Sequence, residues 1–540
     1  MRLHPLLKPL AYLAGCLLYA VPDWLTDEFG SVSIDQVLYH LNLGTEGLLS
    51  SDPELLVRFL WRGVALPVAL ALVLWALDTY VRHLRSHPEA VPMRVIGPVI
   101  GPVIGAVRRG GAHVGELLRR TFRRALPHAL PLVVFGAGAA FFIDSFSLAS
   151  YVRTYFGEDY FSGSYVDPRH VTLRKEKPKS LVLIYVESLE NTYSDPALFG
   201  RDLLHRLNAY KSRAITFDDY RQMPGAHFTI AGIVATQCGL PLKSVALFGG
   251  NTQGEQIDRF LPRAHCLGDI LAGAGYTNVF LNGSSLVFGG VGNFFRDHHY
   301  AKVLGREEWV GLGEKPETMS GWGLHDDDLF RRAREELGVL MKAKRPFNLT
   351  VLTIDTHHPY GHLSSRCARE GRSDFDGIVE CTAGQVADFI EHIAAKGWMD
   401  RVAIVVQGDH LAMGNTSYDK LVRNPHRTIF NLLIGGDRKL VKNTDEVTHF
   451  DMLPTMLDFV GLRVEGQRAG LGYSAIGPLT VPRPADRLAR MEEQLMNYSA
   501  AYRELWELPP APDGAPAQLV APEHAPTSPL TDPHRIARVR

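Results

Sequence analysis

The sequence predicts an α/β domain with a mostly parallel central sheet, preceded by an amino-terminal anchor of transmembrane helices. Two observations lead to this fold class. Apolar residues come in long runs over the first 150 positions and in short runs over the rest of the 540-residue chain. The short runs lack the alternation of a half-exposed strand, which is typical of strands covered by helices on both faces. Long runs followed by short ones indicate a membrane anchor and then a globular domain.

Three amino-terminal segments are apolar enough to cross a bilayer, at about residues 6–22, 59–81 and 126–148. The first is short and contains Lys8, so a signal peptide is the alternative to a retained helix. We expect a retained helix, and therefore about three crossings within a membrane domain that covers residues 1–150.

The charges between these segments predict the orientation of the anchor. Acidic residues dominate positions 23–58, whereas positions 82–125 are rich in arginine. Because arginine-rich loops stay in the cytoplasm, the chain after residue 150 is expected in the periplasm, outside the inner membrane. The formal net charge of -1, with no strongly basic region beyond the anchor, argues against a nucleic-acid partner. The lipid bilayer is the first expected partner.

The cysteines agree with an oxidising compartment. Cys16 lies in the first predicted span, which leaves an even set of four on the periplasmic side. An even set in that compartment indicates disulfide bonds, and four unrelated buried thiols are the alternative. The four are Cys238, Cys266, Cys367 and Cys381.

Six short apolar runs are the predicted strands of the central sheet. They lie at 181–186, 214–217, 277–281, 349–354, 402–406 and 429–434. Amphipathic segments supply the predicted helices, at 205–212, 266–275, 326–343 and 384–397. We expect a linker at 151–178 and a catalytic domain at 179–480. The final segment, 481–540, is expected to hold one helix near 486–506 and a tail rich in proline and alanine.

Acidic residues and histidines follow three of the predicted strands. Glu187 comes directly after the first strand, a DTHH sequence with His357 and His358 follows the fourth, and Asp409 and His410 follow the fifth. In such sheets ligands bind at the carboxyl ends of the strands. A single acidic residue there is more often a helix cap, but carboxylates from separate strands repel unless a cation lies between them. We therefore expect a divalent metal held by Glu187, Asp409 and His410.

The stretch HFTIAGIVATQCG contains the candidate nucleophile. A turn around Pro224 and Gly225 precedes a helix of small residues, so Thr229 falls at the start of that helix. A threonine in this position is commonly only an N-cap. A helix start also binds anions, and a threonine oxygen beside a divalent cation can ionise and attack phosphorus or sulfur. Thr236 and Cys238 lie two turns further on, where packing and a disulfide are the expected roles.

Several motifs together resemble a known superfamily. They are LVLIYVESLENTY, MPGAHFTIAGIVATQCGLPL, CLGDILAGAGY, TIDTHHPYG and GDHLAMGNT, and they span roughly residues 180–475. They are similar to the alkaline phosphatase and sulfatase superfamily, in its membrane-anchored branch that moves lipid head groups. The lipoteichoic acid synthases are related members. The resemblance implies an alkaline phosphatase/sulfatase-like domain as the globular part of the chain.

The resemblance implies a metal site and a nucleophile. Glu187, Thr229, Asp409 and His410 match the residues that surround the metal in this superfamily, with Thr229 as the nucleophile. The implied cofactor is a divalent ion, with Mn²⁺ expected first and Mg²⁺ or Zn²⁺ as alternatives.

Three further residues match substrate-binding positions of the lipoteichoic acid synthases. His357 is expected to bind or protonate the reacting phosphoglycerol, and His358 is its substitute. Arg296, in NFFRDHH, is expected to bind phosphate, and an ordinary surface arginine is the alternative reading. The resemblance also implies two disulfides, Cys238 to Cys266 and Cys367 to Cys381.

The activity implied by the resemblance is transfer of glycerol phosphate from phosphatidylglycerol to a periplasmic glucan through a covalent phosphothreonine. The first alternative is transfer of phosphoethanolamine to lipid A or a glycan by the same chemistry. The second is an inactive membrane-anchored binding or regulatory protein on this fold. Sulfate ester hydrolysis is disfavoured, because it requires a C/S-x-P-x-R sequence and none occurs near Thr229.

Overall fold

The computed structural model describes most of the chain. The described residues are 7–29, 34, 37–38, 53–86, 114–243, 259–436, 440–478 and 480–507, with the backbone alone at 84–86 and 114–128. Residues 93–107, which contain a repeated sequence of glycine and proline, and the tail after residue 507 lie outside them, as does most of the acidic segment 23–58.

Each of the three predicted spans coincides with helix. Helix α1 is Leu7–Phe29, and α2, Pro53–Arg58, continues through a π-helical turn, Phe59–Ala65, into α3, Leu66–Ser86, while α4 is Val114–Ser145. Among the described residues, one helical segment, Glu54–His83, is long and apolar enough to cross a membrane by length and composition. Many of its large apolar side chains are exposed, which suits contact with lipid. Three crossings remain a prediction.

The anchor helices pack up, down and up. Cys16 of α1 packs against Ala71 of α3, and near the end of α1 Glu28 forms an ion pair with Arg58, so α1 and α3 run antiparallel. Tyr19 of α1 stacks on Phe141 of α4 with 4.4 Å between ring centroids.

Helices α1 and α4 run parallel and touch through glycines. A side chain at Gly138 would lie 2.2 Å from the carbonyl oxygen of Gly15, so both positions require the smallest residue. Close backbone contact of this kind is a common way for helices to associate in membranes.

The globular part is built on a six-stranded sheet. In chain order, the strands of the described residues are β1 Leu173–Lys175, β2 Ser180–Val186, β3 Asp219–Arg221, β4 Thr277–Asn282, β5 Lys302–Leu304, β6 Phe347–Leu352, β7 Val402–Gly408, β8 Asn431–Ile434, β9 Glu446–Thr448, β10 Leu462–Val464, β11 Arg468–Ala469 and β12 Gly472–Tyr473. The order in the six-stranded sheet is β5-β4-β6-β2-β7-β8, with every neighbouring pair parallel except β7 and β8.

The central strand β2 is buried along its whole length. Its alternate side chains enter two separate hydrophobic clusters, one on each face of the sheet. The α/β fold class predicted from the continuous apolar runs is therefore confirmed.

Helices cover both faces of this sheet, and several of them connect its strands. After the amino-terminal helices, the α-helices of the described residues are α5 Leu148–Arg153, α6 Tyr160–Ser164, α7 Pro196–Phe199, α8 His205–Asn208, α9 Thr229–Cys238, α10 Leu267–Gly273, α11 Val291–Asp297, α12 Arg306–Gly311, α13 Asp326–Lys342, α14 Ser365–Arg369, α15 Phe375–Ala395, α16 Tyr418–Leu421, α17 Met452–Phe459, α18 Arg487–Gln494 and α19 Ala500–Glu504. One turn of 3₁₀-helix, His449–Asp451, precedes α17.

Two predicted elements differ from the structure. The run 214–217 is not a strand, because Ile215 makes only an isolated bridge to Leu433. The helix expected near 486–506 is two helices, α18 and α19, separated by a turn.

Segments on either side of the sheet domain join its core. Phe161 of α6 and Tyr502 of α19 meet edge to face, with 5.4 Å between ring centroids, and both belong to one of the two main clusters. The division of the chain at residues 150, 178 and 480 stays a prediction.

The predicted disulfides are confirmed. Cys238 pairs with Cys266, and Cys367 pairs with Cys381. Cys16 is the free cysteine, buried between the anchor helices.

Candidate metal centre and nucleophile

Two neighbouring strands end at the candidate metal centre. The parallel register pairs Val186 of β2 with Gly408 of β7, so Glu187 and Asp409 follow at adjacent points of the sheet edge. Glu187, Asp409 and His410 are all buried, and one ligand atom from each lies within 4.8 Å of the others.

The chemistry of these donors fits a divalent cation. Two carboxylates are buried side by side, and Asp409 Oδ2 has no hydrogen-bond partner among the described residues. An unpartnered carboxylate oxygen without solvent is costly unless a cation meets it. His410 Nδ1 donates to the carbonyl oxygen of Leu411 at 2.8 Å, which turns Nε2 toward the carboxylates, 3.4 Å from Glu187 Oε1 and 3.5 Å from Asp409 Oδ2.

The charges of the three groups strongly affect one another. Burial and the negative charge of Glu187 raise the pKa of Asp409 to about 7. Burial alone would lower the pKa of His410, but the two carboxylates outweigh it and raise that pKa to about 9. Burial also opposes ionisation of Glu187, yet the charge on His410 holds the pKa of Glu187 well below its usual range. The three side chains therefore interact strongly, as expected of groups that would share one cation.

Ser188 connects the two carboxylates. Its backbone N–H donates to Asp409 Oδ1 at 2.8 Å, and its hydroxyl donates to Glu187 Oε1 at 2.6 Å. The residue has a φ of 57°, in the left-handed region that residues other than glycine rarely adopt. Strained backbone of this kind is concentrated at functional sites.

Thr229 is the first residue of α9, and its hydroxyl faces the metal group. Its Oγ1 donates to Glu187 Oε2 at 3.2 Å and lies 3.5 Å from His410 Nε2. The N-cap position belongs to Phe228, so the reading of Thr229 as an ordinary N-cap is wrong.

The start of α9 is pressed against the metal group. A side chain at Gly232 would lie 1.9 Å from the carbonyl oxygen of Asp409, so glycine is required there. Thr236 is buried, bonded to Tyr185 and to the helix backbone, as expected for a packing residue.

The turn after β6 lies against the same group. Thr356 Oγ1 donates to the carbonyl oxygen of Glu187 at 2.6 Å. The ring of His357 packs on Trp322, with 4.1 Å between centroids, and its Nδ1 donates to the carbonyl oxygen of His358 at 2.7 Å. His358 stacks on His357 and is buried, and burial lowers its pKa well below the usual value.

Arg296 lies apart from these contacts in the described part of the chain. It is half exposed, and its guanidinium lies 3.5 Å from Glu308 Oε1. The assignment of Arg296 and His358 to substrate binding stays a prediction.

Sequence reasoning missed several residues of the site. Trp322 gave no local signal, because it contributes by packing on His357, which is distant in sequence. Ser188 gave none, because it contributes through its left-handed backbone and its bond to the distant Asp409. His227, two residues before Thr229, has an exposed side chain, but desolvation by the surrounding protein and the nearby His410 lower its pKa to about 4.

His449 contacts the backbone of one candidate metal ligand. His449 Nε2 donates to the carbonyl oxygen of Asp409 at 2.9 Å. Asp451, in the same 3₁₀ turn, accepts from the buried Arg487 of α18 at 2.7 Å. The first carboxyl-terminal helix is therefore linked to the residues that carry the site.

The chain belongs to the sulfatase family, whose profile matches residues 179–462, more than half of the chain. Among curated proteins it is similar to phosphoglycerol transferase I from Escherichia fergusonii, with 34% identity over 64% of this chain and 45% of that protein. Phosphoglycerol transferase I from Citrobacter koseri is 31% identical over 93% of this chain and 60% of that protein. The chain thus spans about half the length of the curated relatives it matches.

Two solved structures are similar at lower identity. One is a protein of the alkaline phosphatase superfamily from Vibrio parahaemolyticus, at 20% identity and a TM-score of 0.45, covering 63% of this chain and 79% of that one. The other is the lipoteichoic acid synthase LtaP from Listeria monocytogenes, at 15% identity and a TM-score of 0.43, covering 57% and 79%.

Proposed function

We propose that this chain is a membrane-bound phosphoglycerol transferase that uses Thr229 as a covalent nucleophile. One observation carries the proposal: the Thr229 hydroxyl stands at a helix start, within 3.5 Å of both Glu187 and His410 in the metal group. The similarity to phosphoglycerol transferase I supports phosphatidylglycerol as donor and a periplasmic glucan as acceptor.

Glu187, Asp409, His410 and the oxygen of Thr229 are the residues that would hold the metal. We propose Mn²⁺ as the first candidate, with Mg²⁺ and Zn²⁺ as alternatives. A divalent ion, when bound, lowers the pKa of the threonine hydroxyl and neutralises charge on the phosphoryl group.

Transfer proceeds through two displacements. In the first, Thr229 Oγ1 bonds to the phosphorus of phosphatidylglycerol, and the bond from phosphorus to the diacylglycerol oxygen breaks. The Thr229 proton is released to solvent as its hydroxyl ionises, and His357 donates a proton to the departing oxygen.

In the second displacement, a glucan hydroxyl oxygen bonds to phosphorus and the bond to Thr229 breaks. His357 takes the proton of the glucan hydroxyl, which restores its starting state, and the Thr229 oxygen regains from solvent the proton released in the first step. The close packing of His357 on Trp322 supports a fixed orientation of the imidazole during both steps.

The proposed donor is a membrane lipid, so an enzyme that uses it should be anchored in the same membrane. We propose three transmembrane helices, α1, α3 and α4, with the sheet domain in the periplasm. The up-down-up directions of these helices and the two disulfides support this arrangement. A tethered enzyme keeps a high effective concentration of a donor that never leaves the bilayer.

The test is purified full-length chain in vesicles that contain head-group-labelled phosphatidylglycerol or phosphatidylethanolamine, with Mn²⁺ and a glucan acceptor. We expect diacylglycerol release and labelled glucan with phosphatidylglycerol alone. Release from phosphatidylethanolamine alone would overturn the proposed donor. No release from either lipid, with the metal bound, would overturn transferase activity altogether.

A further inference from the structure

The outer end of the first anchor helix touches the turn that carries the site histidines. Phe29, the last residue of α1, packs edge-on against His358, with 5.4 Å between ring centroids and 78° between the planes. The ring of His358 also interacts with the backbone of Glu28. The same turn also contacts the candidate metal ligands, because Thr356 donates a hydrogen bond to the carbonyl oxygen of Glu187.

This end of α1 has the composition of a membrane interface. Trp24 packs on Phe59 and on Phe29, with centroids 4.9 and 6.0 Å apart. Beside these rings, Glu28 pairs with Arg58, and Asp27 pairs with Arg62. Aromatic rings beside charged groups are typical of the level at which a helix leaves the hydrocarbon core.

The length of α1 also places Phe29 near the boundary of the hydrocarbon core. Its 23 residues rise about 35 Å at the usual 1.5 Å per residue. The hydrocarbon core is about 30 Å thick, so a helix that crosses it from Leu7 has Phe29 at its outer boundary. The turn that touches Phe29 therefore lies at the same boundary.

The loop that follows the turn, residues 359–363, suits contact with lipid. It carries no aspartate, glutamate, lysine or arginine. Tyr360 is 65% exposed and Leu363 is 41% exposed. Single exposed apolar residues are ordinary on a protein surface, but these two directly follow the turn that contacts Phe29 at the end of α1. Tyrosine, apolar along its ring and polar at its tip, is favoured at the head-group level.

We infer that the 359–363 loop enters the outer interface of the bilayer in which α1 lies, with Tyr360 and Leu363 as its lipid-contacting side chains. The partner of this surface is the lipid bilayer itself. The loop and Phe29 together hold the histidine turn, and with it Glu187, at the membrane surface. If the proposed function is correct, a lipid head group reaches Thr229 while its acyl chains stay in the bilayer.

Depth-dependent quenching tests this inference without requiring turnover. Full-length chain with Cys16→Ala and either Tyr360→Cys or Leu363→Cys is labelled with a fluorophore, without reductant, and reconstituted into phosphatidylethanolamine–phosphatidylglycerol vesicles. Part of the lipid carries a nitroxide high on the acyl chain. Val339→Cys, on α13 and 61% exposed, is the matched control, and Leu70→Cys on α3 is the reference for lipid contact.

We expect strong quenching at positions 360, 363 and 70 and little at 339. Equal quenching at 360, 363 and 339 would overturn the inference. Because two loop positions are labelled separately, one poorly folded variant does not decide the result.

A kinetic comparison connects the loop to the donor. Tyr360→Ser with Leu363→Ser is expected to slow transfer from vesicle phosphatidylglycerol about tenfold, by removing interfacial contact. Transfer from a short-chain phosphatidylglycerol below its micelle concentration should not change. Equal loss on both donors would assign the loop to the reaction instead. A wild-type chain without transfer would refute the proposed function, and the quenching result would still stand.

Discussion

The hydroxyl of Thr229 donates a hydrogen bond to Glu187, with 3.2 Å between the two oxygens, although the residues lie 42 positions apart. The bond joins the first residue of α9 to the first residue after β2. It exists because Gly232 lets α9 approach the carbonyl oxygen of Asp409 without a side chain in between. The proposed nucleophile and the candidate metal ligands are thus held in one place by backbone packing.

Thr229→Ala is expected to abolish transfer and leave the fold intact. Thr229 is not the N-cap of α9, so its loss costs less than the roughly 1 kcal/mol typical of a cap. Thr236→Ala, in the same helix, is the control: it removes buried hydrogen bonds, costs about 1–3 kcal/mol of stability and keeps most activity. Mass spectrometry of wild-type enzyme quenched without acceptor should find glycerol phosphate on the peptide that contains Thr229. Turnover by Thr229→Ala near the wild-type rate would rule out the covalent route.

Ser188 is expected to contribute through its backbone and its hydroxyl separately. Ser188→Gly keeps the left-handed backbone and the N–H bond to Asp409 but loses the hydroxyl bond to Glu187. Ser188→Ala loses the same hydroxyl and also adopts the strained φ at a cost of about 1 kcal/mol or more. Metal titrations should therefore show weaker binding in both variants, and thermal melts should show a larger loss of stability for alanine. Equal melting temperatures of the glycine and alanine variants would show that backbone strain at position 188 does not affect stability.

Metal affinity is expected to rise with pH. A ligand histidine must be neutral, and the pKa of His410 is raised to about 9 by Asp409 and Glu187 against the effect of burial. Below that pKa a cation has to expel the proton, so the affinity should increase about tenfold per pH unit where one proton is released. The increase should level off above about pH 9. Calorimetric titration of Mn²⁺ into metal-free chain at pH 6, 7 and 8 measures this, and an unchanged dissociation constant would contradict it.

The proposed topology predicts opposite signals from two reporter fusions. A fusion after residue 100 should report the cytoplasm, because the arginines at 82–125 keep that segment inside. A fusion after residue 170, beyond α4, should report the periplasm. Paired reporters that are active on opposite sides of the membrane make the measurement. Identical signals at the two positions would exclude an odd number of crossings between them.

Much of the sheet and of the site was predictable from local sequence. Continuous apolar runs correctly identified β2, β4, β6, β7 and β8, because strands covered on both faces carry apolar side chains at successive positions instead of alternate ones. Glu187, Asp409 and His410 were identifiable as candidate ligands because they lie within two residues of the ends of β2 and β7.

Contacts between distant segments were not predictable. The run 214–217 has the apolar character of a strand, but it meets the sheet only where Ile215 bridges Leu433. The packing of Trp322 on His357 and of Phe29 on His358 depends on how remote segments fold together. A single sequence carries no signal for such pairs.

The buried ion pair between Arg487 and Asp451 determines where the sheet domain can be cut if it is to be produced without the amino-terminal helices. The family match ends at residue 462, and a fragment cut there would contain Glu187, Thr229, Asp409 and His410. It would also leave Asp451 without its buried ionic partner, and removing one member of such a pair costs about 3–5 kcal/mol. Soluble fragments for crystallisation should therefore extend through α19, to about residue 507.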